Sequence, residues 1–249
     1  MNPMQLTNKK ILITGASSGI GRATAIALSQ LGAVIYITGR DKIKLQQTFD
    51  QLEGGFHQQF VADLTLQEDL NGLTSLVPVL DGLVHCAGLA RPLPVKFIEE
   101  KHINEMYAIN YTVPVKLTAK LLREKKIGAG GSIVFMSSIS SKFGHIGGAL
   151  YCGAKAGLDA FSKVLALECA AQKIRANTIN AAMVKTELFE KAELAVSKEA
   201  MALHEKKYPL GFGEASDIAN TIIFLLSDAS KWITGTNLIV DGGLTAGDF

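Results

Sequence analysis

The sequence predicts an α/β fold in which strands and helices alternate around a parallel sheet. Short apolar runs and helical stretches alternate about seven times along the chain. A glycine-rich turn links the first apolar run to the first helix, a connection that parallel α/β folds often use. The length of 249 residues and the 48% hydrophobic content suit one large domain. We therefore expect residues 1–249 to fold as a single unit.

The first strand, Ile11–Ile13, leads through the glycine-rich turn into a helix that begins near Arg22. Glycines at positions 15, 19 and 21 let the backbone turn tightly and approach a diphosphate. Backbone amides and the positive end of the helix dipole would meet the phosphate charge. The spacing G-x-x-x-G-x-G differs from G-x-G-x-x-G, and such a turn can be a plain tight connection. Its position between the first strand and the first helix favours dinucleotide binding.

The second strand, Ala33–Thr38, is followed by Gly39 and Arg40. In nucleotide-binding folds an acidic residue near this position binds the ribose 2′-hydroxyl, whereas an arginine accommodates a 2′-phosphate. Arg40 therefore favours NADP(H) over NAD(H). The adjacent Asp41 keeps the alternative open, and Arg40 can also be a surface charge at a helix entry.

Two further strands end in acidic or small residues. Asp63 follows the strand Gln59–Ala62, where it can accept from an adenine amino group or cap a helix from Leu66. The strand Asp81–Val84 precedes the small-residue turn Cys86–Gly88, which can pack against a cofactor.

A long helical pattern covers residues 103–126 and contains Asn110. Pro114, one turn later, frees the carbonyl of Asn110 from its helical hydrogen bond and permits a kink. A mid-helix asparagine is usually a satisfied polar residue, but at a kink it can face a site. Asn110 is therefore a candidate site residue.

The strongest signal for chemistry lies between residues 133 and 155. The apolar run Ile133–Met136 ends just before Ser138, so its hydroxyl should lie at the carboxyl end of a strand, where open α/β sheets bind ligands. Tyr151 and Lys155 are one helical turn apart and should share one helix face. An ammonium there lowers the pKa of a phenol and makes it usable as a general acid–base. The pattern Y-x-x-x-K also arises by chance, but Ser138 and the glycine turn favour a catalytic site.

The last third of the chain continues the alternation with a strand at 174–180, a helix at 217–227 and a strand at 237–243. Between them, residues 187–208 are polar, and we predict that they form a mobile lid over the substrate.

Charge and cysteine content argue against several functions. The net charge is +2 and the charges are mixed, so the sequence predicts no nucleic-acid or membrane partner. Cys86, Cys152 and Cys169 lack metal-ligand or redox spacing, and free thiols in a reducing compartment fit them best. The N-terminus has no apolar targeting segment, and no stretch resembles a membrane span. We expect a cytoplasmic protein without a metal site.

These motifs together resemble the classical short-chain dehydrogenase/reductase family over essentially the whole chain. The resemblance rests on Thr14–Gly21, Asp63, Cys86–Gly88, Asn110, Ser138, Tyr151, Lys155, Thr186 and Trp232–Gly243. It implies a Rossmann-type, doubly wound domain with a seven-stranded, mostly parallel sheet and helices on both faces. It also implies hydride transfer to or from a nicotinamide, commonly in a homotetramer packed through the helices that carry Asn110 and Tyr151.

The resemblance assigns roles to four catalytic residues. Tyr151 would donate the proton, Ser138 would orient the substrate carbonyl, and Lys155 would hold the nicotinamide ribose and tune Tyr151. Asn110 would position a water molecule in a proton relay. NADP(H) would be bound by Gly15, Ser17, Ser18, Gly19, Ile20, Gly21, Arg40, Asp63, Leu64, Ala87, Gly88, Tyr151, Lys155, Val184 and Thr186.

Within the family the chain is most similar to 3-oxoacyl-carrier-protein reductases and related NADPH-dependent carbonyl reductases, which implies reduction of a ketone to a secondary alcohol. An NAD-dependent alcohol, polyol or sugar dehydrogenase is the alternative, and a non-catalytic nucleotide-binding regulator on the same fold is a second one. The substrate would be a small carbonyl compound, such as a 3-oxoacyl thioester or a cyclic ketone. Its predicted pocket is lined by His145, Ile146, Leu150, Met183 and the lid.

The chain departs from the family pattern at three places. Cys86 stands where asparagine is usual, and Ala181-Ala182 replace Pro-Gly after the sixth strand. Ala129 and Gln172 occupy positions where carrier-protein reductases present basic residues, although Lys126 and Lys173 are near. A carrier-protein partner is therefore doubtful.

Overall fold

Seven parallel strands form the central sheet of the computed structural model, which describes residues 2–187, 189 and 198–247. The strands of this sheet are β1 (Lys10–Thr14), β2 (Val34–Gly39), β3 (Gln58–Val61), β4 (Leu80–His85), β5 (Ile127–Ser138), β6 (Arg175–Ala181) and β9 (Asn237–Val240). Their order is β3-β2-β1-β4-β5-β6-β9, and every neighbouring pair is parallel. The order reverses between β1 and β4, which is where open α/β sheets leave a crevice for ligands. Two short strands, β7 (Val184–Lys185) and β8 (Gly213–Glu214), pair separately.

Helices cover both faces of the sheet, as predicted. They are α1 (Gly19–Gln30), α2 (Lys42–Phe49), α3 (Gln67–Leu76), α4 (Glu100–Tyr107), α5 (Val113–Arg123), α6 (Ala149–Glu168), α7 (Lys198–Glu205) and α8 (Ala215–Leu226). Because side chains alternate along a strand, Ile11 and Ile13 of β1 join one apolar cluster, which includes residues of α1 and α8. Leu12 joins the other, which includes residues of α3, α5 and α6. Within the described chain, none of the helices combines the length and apolar character needed to cross a membrane.

The helix predicted over residues 103–126 is interrupted. Residues Ala108–Thr112, which include Asn110, form a π-helical turn between α4 and α5. Pro114 lies in the first turn of α5, directly after this turn, and because proline has no N–H it cannot donate a helical hydrogen bond to the preceding turn. The deviation expected near Asn110 is therefore present, as a π-helical turn. Such turns occur frequently at functional sites.

The predicted lid falls partly outside the described residues, which omit 188 and 190–197. Its described part includes α7, where Met201 packs with Tyr208 and Phe212 in a small buried cluster. Met183 packs against the same cluster. The described part of the lid is therefore anchored by apolar contacts with residues outside it, which the polar composition did not predict.

Candidate active site

The glycine turn packs against the end of β4. Gly15 has a φ of +68°, and a Cβ at this residue would lie 2.5 Å from the Ala87 amide nitrogen. A Cβ on Gly21 would overlap the Gly15 carbonyl oxygen, and one on Gly19 would lie 3.2 Å from Thr186 Cγ2. These approaches require residues without side chains and bring together three predicted cofactor segments. The cradle fits a diphosphate on exposed backbone at the start of α1.

A clamp that the sequence analysis missed holds this turn. The Arg22 guanidinium donates to the Ser17 carbonyl oxygen at 2.5 Å and to Thr48 Oγ1 at 3.1 Å. Thr48 Oγ1 in turn donates to the Ala16 carbonyl oxygen at 2.9 Å. In the sequence, Arg22 resembles any charged residue on a helix surface, and Thr48 lies on another helix. The sequence therefore did not predict that these two residues hold the glycine turn.

The two serines of the turn keep polar atoms available. Ser17 Oγ is buried without a hydrogen-bond partner among the described residues. Ser18 is the N-cap of α1, but its side chain makes no capping bond. An unsatisfied buried hydroxyl is costly, so Ser17 is a plausible contact for a bound polar group. Ile20 follows in the first turn of α1 and packs partly buried against the core.

Arg40 and Asp63 lie at the ends of β2 and β3 and face each other. Arg40 Nη1 is 3.7 Å from Asp63 Oδ2, and the Arg40 side chain is 64% exposed. Asp41 accepts from the Lys44 amide as the cap of α2. One oxygen of the Asp41 carboxylate is therefore already engaged by the backbone of α2.

Asp63 does not cap α3, contrary to one of the two roles expected for it. Its Oδ1 accepts from the Thr65 amide at 3.0 Å and from Thr65 Oγ1 at 2.7 Å, which forms a local turn, and Leu66 is the N-cap. Burial opposes ionisation, but the Thr65 hydrogen bonds and the Arg40 charge together lower the pKa of Asp63. The next residue, Leu64, is buried beneath this turn.

Lys155 is buried at the centre of the site, 3% exposed. Its Nζ donates to the Met136 carbonyl oxygen at 2.8 Å and lies 5.6 Å from the centroid of the Tyr151 ring. Ser138, the last residue of β5, is a neighbour of the Tyr151 phenol and favours its ionised form. The structure therefore brings together the three residues that the sequence placed around one helix face and one strand end.

The pKa of Tyr151 is raised rather than lowered, which corrects the expectation from helix spacing. Burial disfavours the phenolate and outweighs the hydrogen bond from Ser138, and Cys152 adds a smaller rise. The Lys155 ammonium is directed to a backbone carbonyl instead of the phenol oxygen. Tyr151 therefore remains protonated at neutral pH, which is the state that can donate a proton to a carbonyl.

Burial shifts the pKa of Lys155 in the opposite direction, because here the charged form is the protonated one. It lowers the pKa of Lys155 to about 8, against the opposing influence of Cys86 and Asp159. Burial also raises the pKa of the Cys86 thiol to about 12 despite the nearby Lys155. Cys86 is therefore a neutral thiol at physiological pH rather than a nucleophile.

Asn110 pins the loop after β4. Its Nδ2 donates to the carbonyl oxygens of Leu89 at 2.8 Å and Met106 at 3.0 Å, and its Oδ1 accepts from the Leu89 amide at 3.2 Å. A Cβ on Gly88 would lie 3.2 Å from Asn110 Oδ1 and 3.8 Å from Lys155 Nζ. Asn110 thus lies beside Lys155, although its amide is engaged by protein groups. The water relay implied by the family resemblance remains a prediction.

The loop after β6 carries the remaining predicted cofactor residues. Val184, in β7, is buried, and its carbonyl oxygen accepts from Thr186 Oγ1 at 3.3 Å. Thr186 faces Gly19 of the glycine turn, so this loop closes over the cradle. Glu187, which follows, forms an ion pair with Lys44 of α2 and links the start of the lid to the cofactor side.

A cavity of about 400 Å³ opens beside the short helical turn that follows Ser138, and the sequence analysis predicted none of its lining residues. Ile139 and Phe143 line one side, and residues 244–247 of the C-terminal segment line the other. Asp241 holds that segment, because it accepts from the amides of Gly243 and Thr245. Only a tertiary contact places these distant residues together, so no local pattern could have found them.

The residues predicted to line the pocket are placed differently. Ile146 is 95% exposed, and the exposed His145 ring packs against Gly148, with Nδ1 3.8 Å from Cys152 Sγ. Met183 belongs to the apolar cluster of the lid. None of these three residues lines the cavity beside Ser138.

The fold and site define a class: an α/β oxidoreductase in which a glycine cradle for a dinucleotide adjoins a Ser-Tyr-Lys acid–base group at the carboxyl edge of a parallel sheet. The pattern of the family described as enoyl-(acyl carrier protein) reductase matches residues 15–245. This match covers nearly the whole chain. The chain belongs to the short-chain dehydrogenase/reductase family, and it is an enzyme whose family implies a nicotinamide cofactor.

Its relatives differ in activity. The chain is 32% identical over 242 residues to a 3-oxoacyl-[acyl-carrier-protein] reductase FabG of Rickettsia felis, covering 97% of this chain and 98% of the relative. It is 31% identical over 242 residues to a D-erythrulose reductase of Gallus gallus, covering 96% and 97%. It is 31% identical over 246 residues to an NAD-dependent glycerol dehydrogenase of Listeria innocua, covering 96% and 95%.

Solved structures of the same family superpose along the whole chain. A short-chain type dehydrogenase/reductase from Mycobacterium marinum matches with a TM-score of 0.87 and 28% identity, covering 99% of each chain. The seven-stranded doubly wound sheet expected from the sequence is confirmed.

Proposed function

We propose that this protein is an NADPH-dependent reductase that converts a small ketone to a secondary alcohol. The bound nicotinamide supplies the hydride, and Tyr151 supplies the proton to the carbonyl oxygen. Ser138 orients the carbonyl, and Lys155 holds the nicotinamide ribose. The observation that carries the proposal is the protonated Tyr151 beside Ser138 and the buried Lys155, at the mouth of the glycine cradle.

Arg40 supports the choice of NADPH. It stands at the end of β2, is largely exposed, and faces Asp63 across 3.7 Å, a contact that a phosphate can outcompete. The acidic residue that follows it, Asp41, accepts from the Lys44 amide through Oδ1 as the cap of α2, which supports Arg40 rather than Asp41 as the residue that selects the cofactor. One relative is an NAD-dependent glycerol dehydrogenase, so an NAD-dependent alcohol or polyol dehydrogenase is the alternative that the test must distinguish.

A free ketone is favoured over one bound to a carrier protein. Lys126, one of the two cations near the expected carrier surface, donates to the carbonyl oxygens of Thr74, Ser75 and Val77 at the end of α3. It is therefore a helix cap rather than a free charge. The cavity walls of Ile139, Phe143 and Leu244 suit an apolar substituent on the ketone.

The test is consumption of NADPH and of NADH by the purified protein against a panel of ketones. The panel includes a hydroxyketone, a cyclic ketone, a free 3-oxoacyl thioester and the same acyl group on a carrier protein. We expect turnover with NADPH and a free ketone. Preference for NADH with an alcohol would favour the dehydrogenase alternative, and binding of NADPH without any turnover would favour a regulator.

A further inference from the structure

A buried chain of hydrogen bonds runs from the last strand to the helix that carries Tyr151. Asn237 Nδ2 donates to Thr178 Oγ1 at 2.7 Å, and Thr178 Oγ1 donates to Asn180 Oδ1 at 3.1 Å. Asn180 Nδ2 donates to Asp159 Oδ2 at 2.8 Å. The donors all point the same way, so the chain of bonds ends on the Asp159 carboxylate.

The same network holds the backbone of the catalytic serine. Asn180 Nδ2 also lies 3.1 Å from the Ser138 carbonyl oxygen and 2.7 Å from Ser141 Oγ. Ser141 Oγ donates to Asp159 Oδ2 at 2.6 Å. Ser138 and the short helical turn after it are therefore fixed to α6 through side chains that do not touch the substrate cavity.

Asp159 is the only member of this network that carries a charge. It is 7% exposed, one helical turn after Lys155. Its Oδ1 is buried and has no hydrogen-bond partner among the described residues. A buried carboxylate that is only partly satisfied exerts a strong field on a neighbouring buried cation.

The other titratable groups around Lys155 are neutral near pH 8. Burial lowers the pKa of His85 to about 3, Cys86 is a thiol with a pKa of about 12, and Tyr151 has a raised pKa. The groups that face Lys155 or its helix come from four elements: Tyr151 and Asp159 on α6, His85 at the end of β4 with Cys86 directly after it, the neutral Met136 and Ser137 on β5, and Asn110, Tyr107 and Tyr111 around the π-helical turn. Cys86 and Asp159 are the two groups whose negative charge would raise the pKa of Lys155. Because the Cys86 thiol is neutral near pH 8, Asp159 is the one of these two that carries a negative charge there.

We propose that Asp159 is a positioning residue for the reduction, which holds Ser138 in place through Asn180 and keeps the Lys155 ammonium charged. Asp159 thus acts on both partners of Tyr151 without lining the cavity. This inference deepens the proposed function and depends on it only where activity is the readout.

The direct test is the titration of Lys155 in protein labelled with ¹³C-lysine, with the resonance assigned by its loss in Lys155→Met. Wild type should titrate near pH 8. Asp159→Asn keeps the shape and removes the charge, so the midpoint should fall by about one pH unit or more. Glu168→Gln, the same change on an exposed site of the same helix, should leave it unmoved. A midpoint in Asp159→Asn equal to that of wild type would overturn the proposal.

Kinetics separate the two effects. In Asp159→Asn the alkaline limb of the kcat profile should shift to lower pH by the same amount as the Lys155 midpoint. Asn180→Ala keeps the Asp159 charge but removes the hydrogen bond to the Ser138 backbone. In this variant kcat should fall about tenfold, which is a fraction of the general acid effect, and the alkaline limb of the kcat profile should stay at the wild-type pH. Equal losses in both variants without any shift of the limb would mean a purely structural role.

The inference can still be tested if the proposed function fails or if one variant does not fold. If wild type reduces no ketone, the proposed function fails, while the Lys155 titration still decides the inference. If Asp159→Asn does not fold, Asp159→Glu carries the test, because it retains the charge. It should keep the Lys155 midpoint near 8, and a fall of a full unit with the charge present would contradict the proposal.

Discussion

Two side chains one helical turn apart, Tyr151 and Lys155, have pKa values shifted in opposite directions by the same physical cause. Loss of water disfavours the charged form of each, so the phenol stays protonated and the ammonium becomes easier to deprotonate. A protonated phenol suits the reduction of a ketone. A lysine that loses its charge near pH 8 needs a nearby anion to remain effective, which is the place of Asp159 in the account.

We predict that Arg40 decides the cofactor preference. A contact between its guanidinium and a 2′-phosphate would be charge-assisted and would contribute roughly 1.5 to 3 kcal/mol. We therefore expect Arg40→Ala to weaken NADPH binding by about ten- to a hundredfold and to leave NADH binding nearly unchanged. Fluorescence titration with both cofactors measures this, with Arg123→Ala, at the exposed end of α5, as the control. Equal losses for the two cofactors would rule out the assignment.

Cys86 is expected to be dispensable for chemistry. The mechanism needs no nucleophilic sulfur, and burial keeps the thiol neutral with a pKa of about 12. Turnover of Cys86→Ala should stay close to that of wild type, and all three cysteines should react as free thiols under denaturing conditions. Zinc in the purified protein, or loss of turnover from this one substitution, would show that the site has been misinterpreted.

At the scale of single elements, the site depends on how closely α1 and its glycine turn approach the end of β4. The strand–turn–helix unit could be predicted from sequence, because glycine spacing and apolar periodicity are local. The clamp by Arg22 and Thr48 and the Asp159 network could not, because each joins residues far apart in the chain. The predicted direction of the Tyr151 pKa shift was wrong for a related reason. Residue spacing indicates a neighbouring charge, but it does not show how far the phenol is removed from water.

Gly21 tests the close approach directly. A methyl group there would overlap the Gly15 carbonyl oxygen, so Gly21→Ala should displace the turn and weaken NADPH binding at least about tenfold. Gly72→Ala is the matched control, because Gly72 lies in α3 with no atom within 4 Å of the added methyl group. The control should be neutral or slightly stabilising, by up to about 1 kcal/mol. Wild-type NADPH affinity in Gly21→Ala would contradict this account of the cradle.

At the scale of the molecule, the outer faces of α4 and α6 carry large apolar side chains. Val164 and Leu167 of α6 are 52% and 80% exposed, and Ile103 of α4 is 41% exposed. Contiguous exposed apolar surface is unusual on a monomer, so these faces are where the homotetramer implied by the family resemblance would pack.

Sedimentation equilibrium measures the assembly. We expect wild type to have a mass four times the chain mass of 26.6 kDa. The mass of Leu167→Glu should be lower, because this variant places a charge on the face that packs in the tetramer. Ile43→Glu, on the 72% exposed side chain of α2, is the control and should remain tetrameric. A wild-type monomer at micromolar concentration would contradict the prediction.

Lys155→Met tests the role of the lysine that lies one helical turn from Tyr151. It removes both the buried charge and a ligand of the nicotinamide ribose, so it should weaken NADPH binding as well as turnover. In the double variant with Tyr151→Phe the two losses should not add, because the residues act as a unit. Additive losses would mean that the two side chains act independently.

The rate of NADPH oxidation by Tyr151→Phe, with a ketone that wild type reduces, tests the central claim most directly. The substitution removes one oxygen and its proton but keeps the ring, so the fold and NADPH affinity should persist. Turnover should fall at least about a hundredfold, the usual scale of general acid catalysis. Tyr107→Phe, on the facing helix against Gly153, is the control and should retain activity. Near-normal turnover in Tyr151→Phe would show that the proton comes from another group.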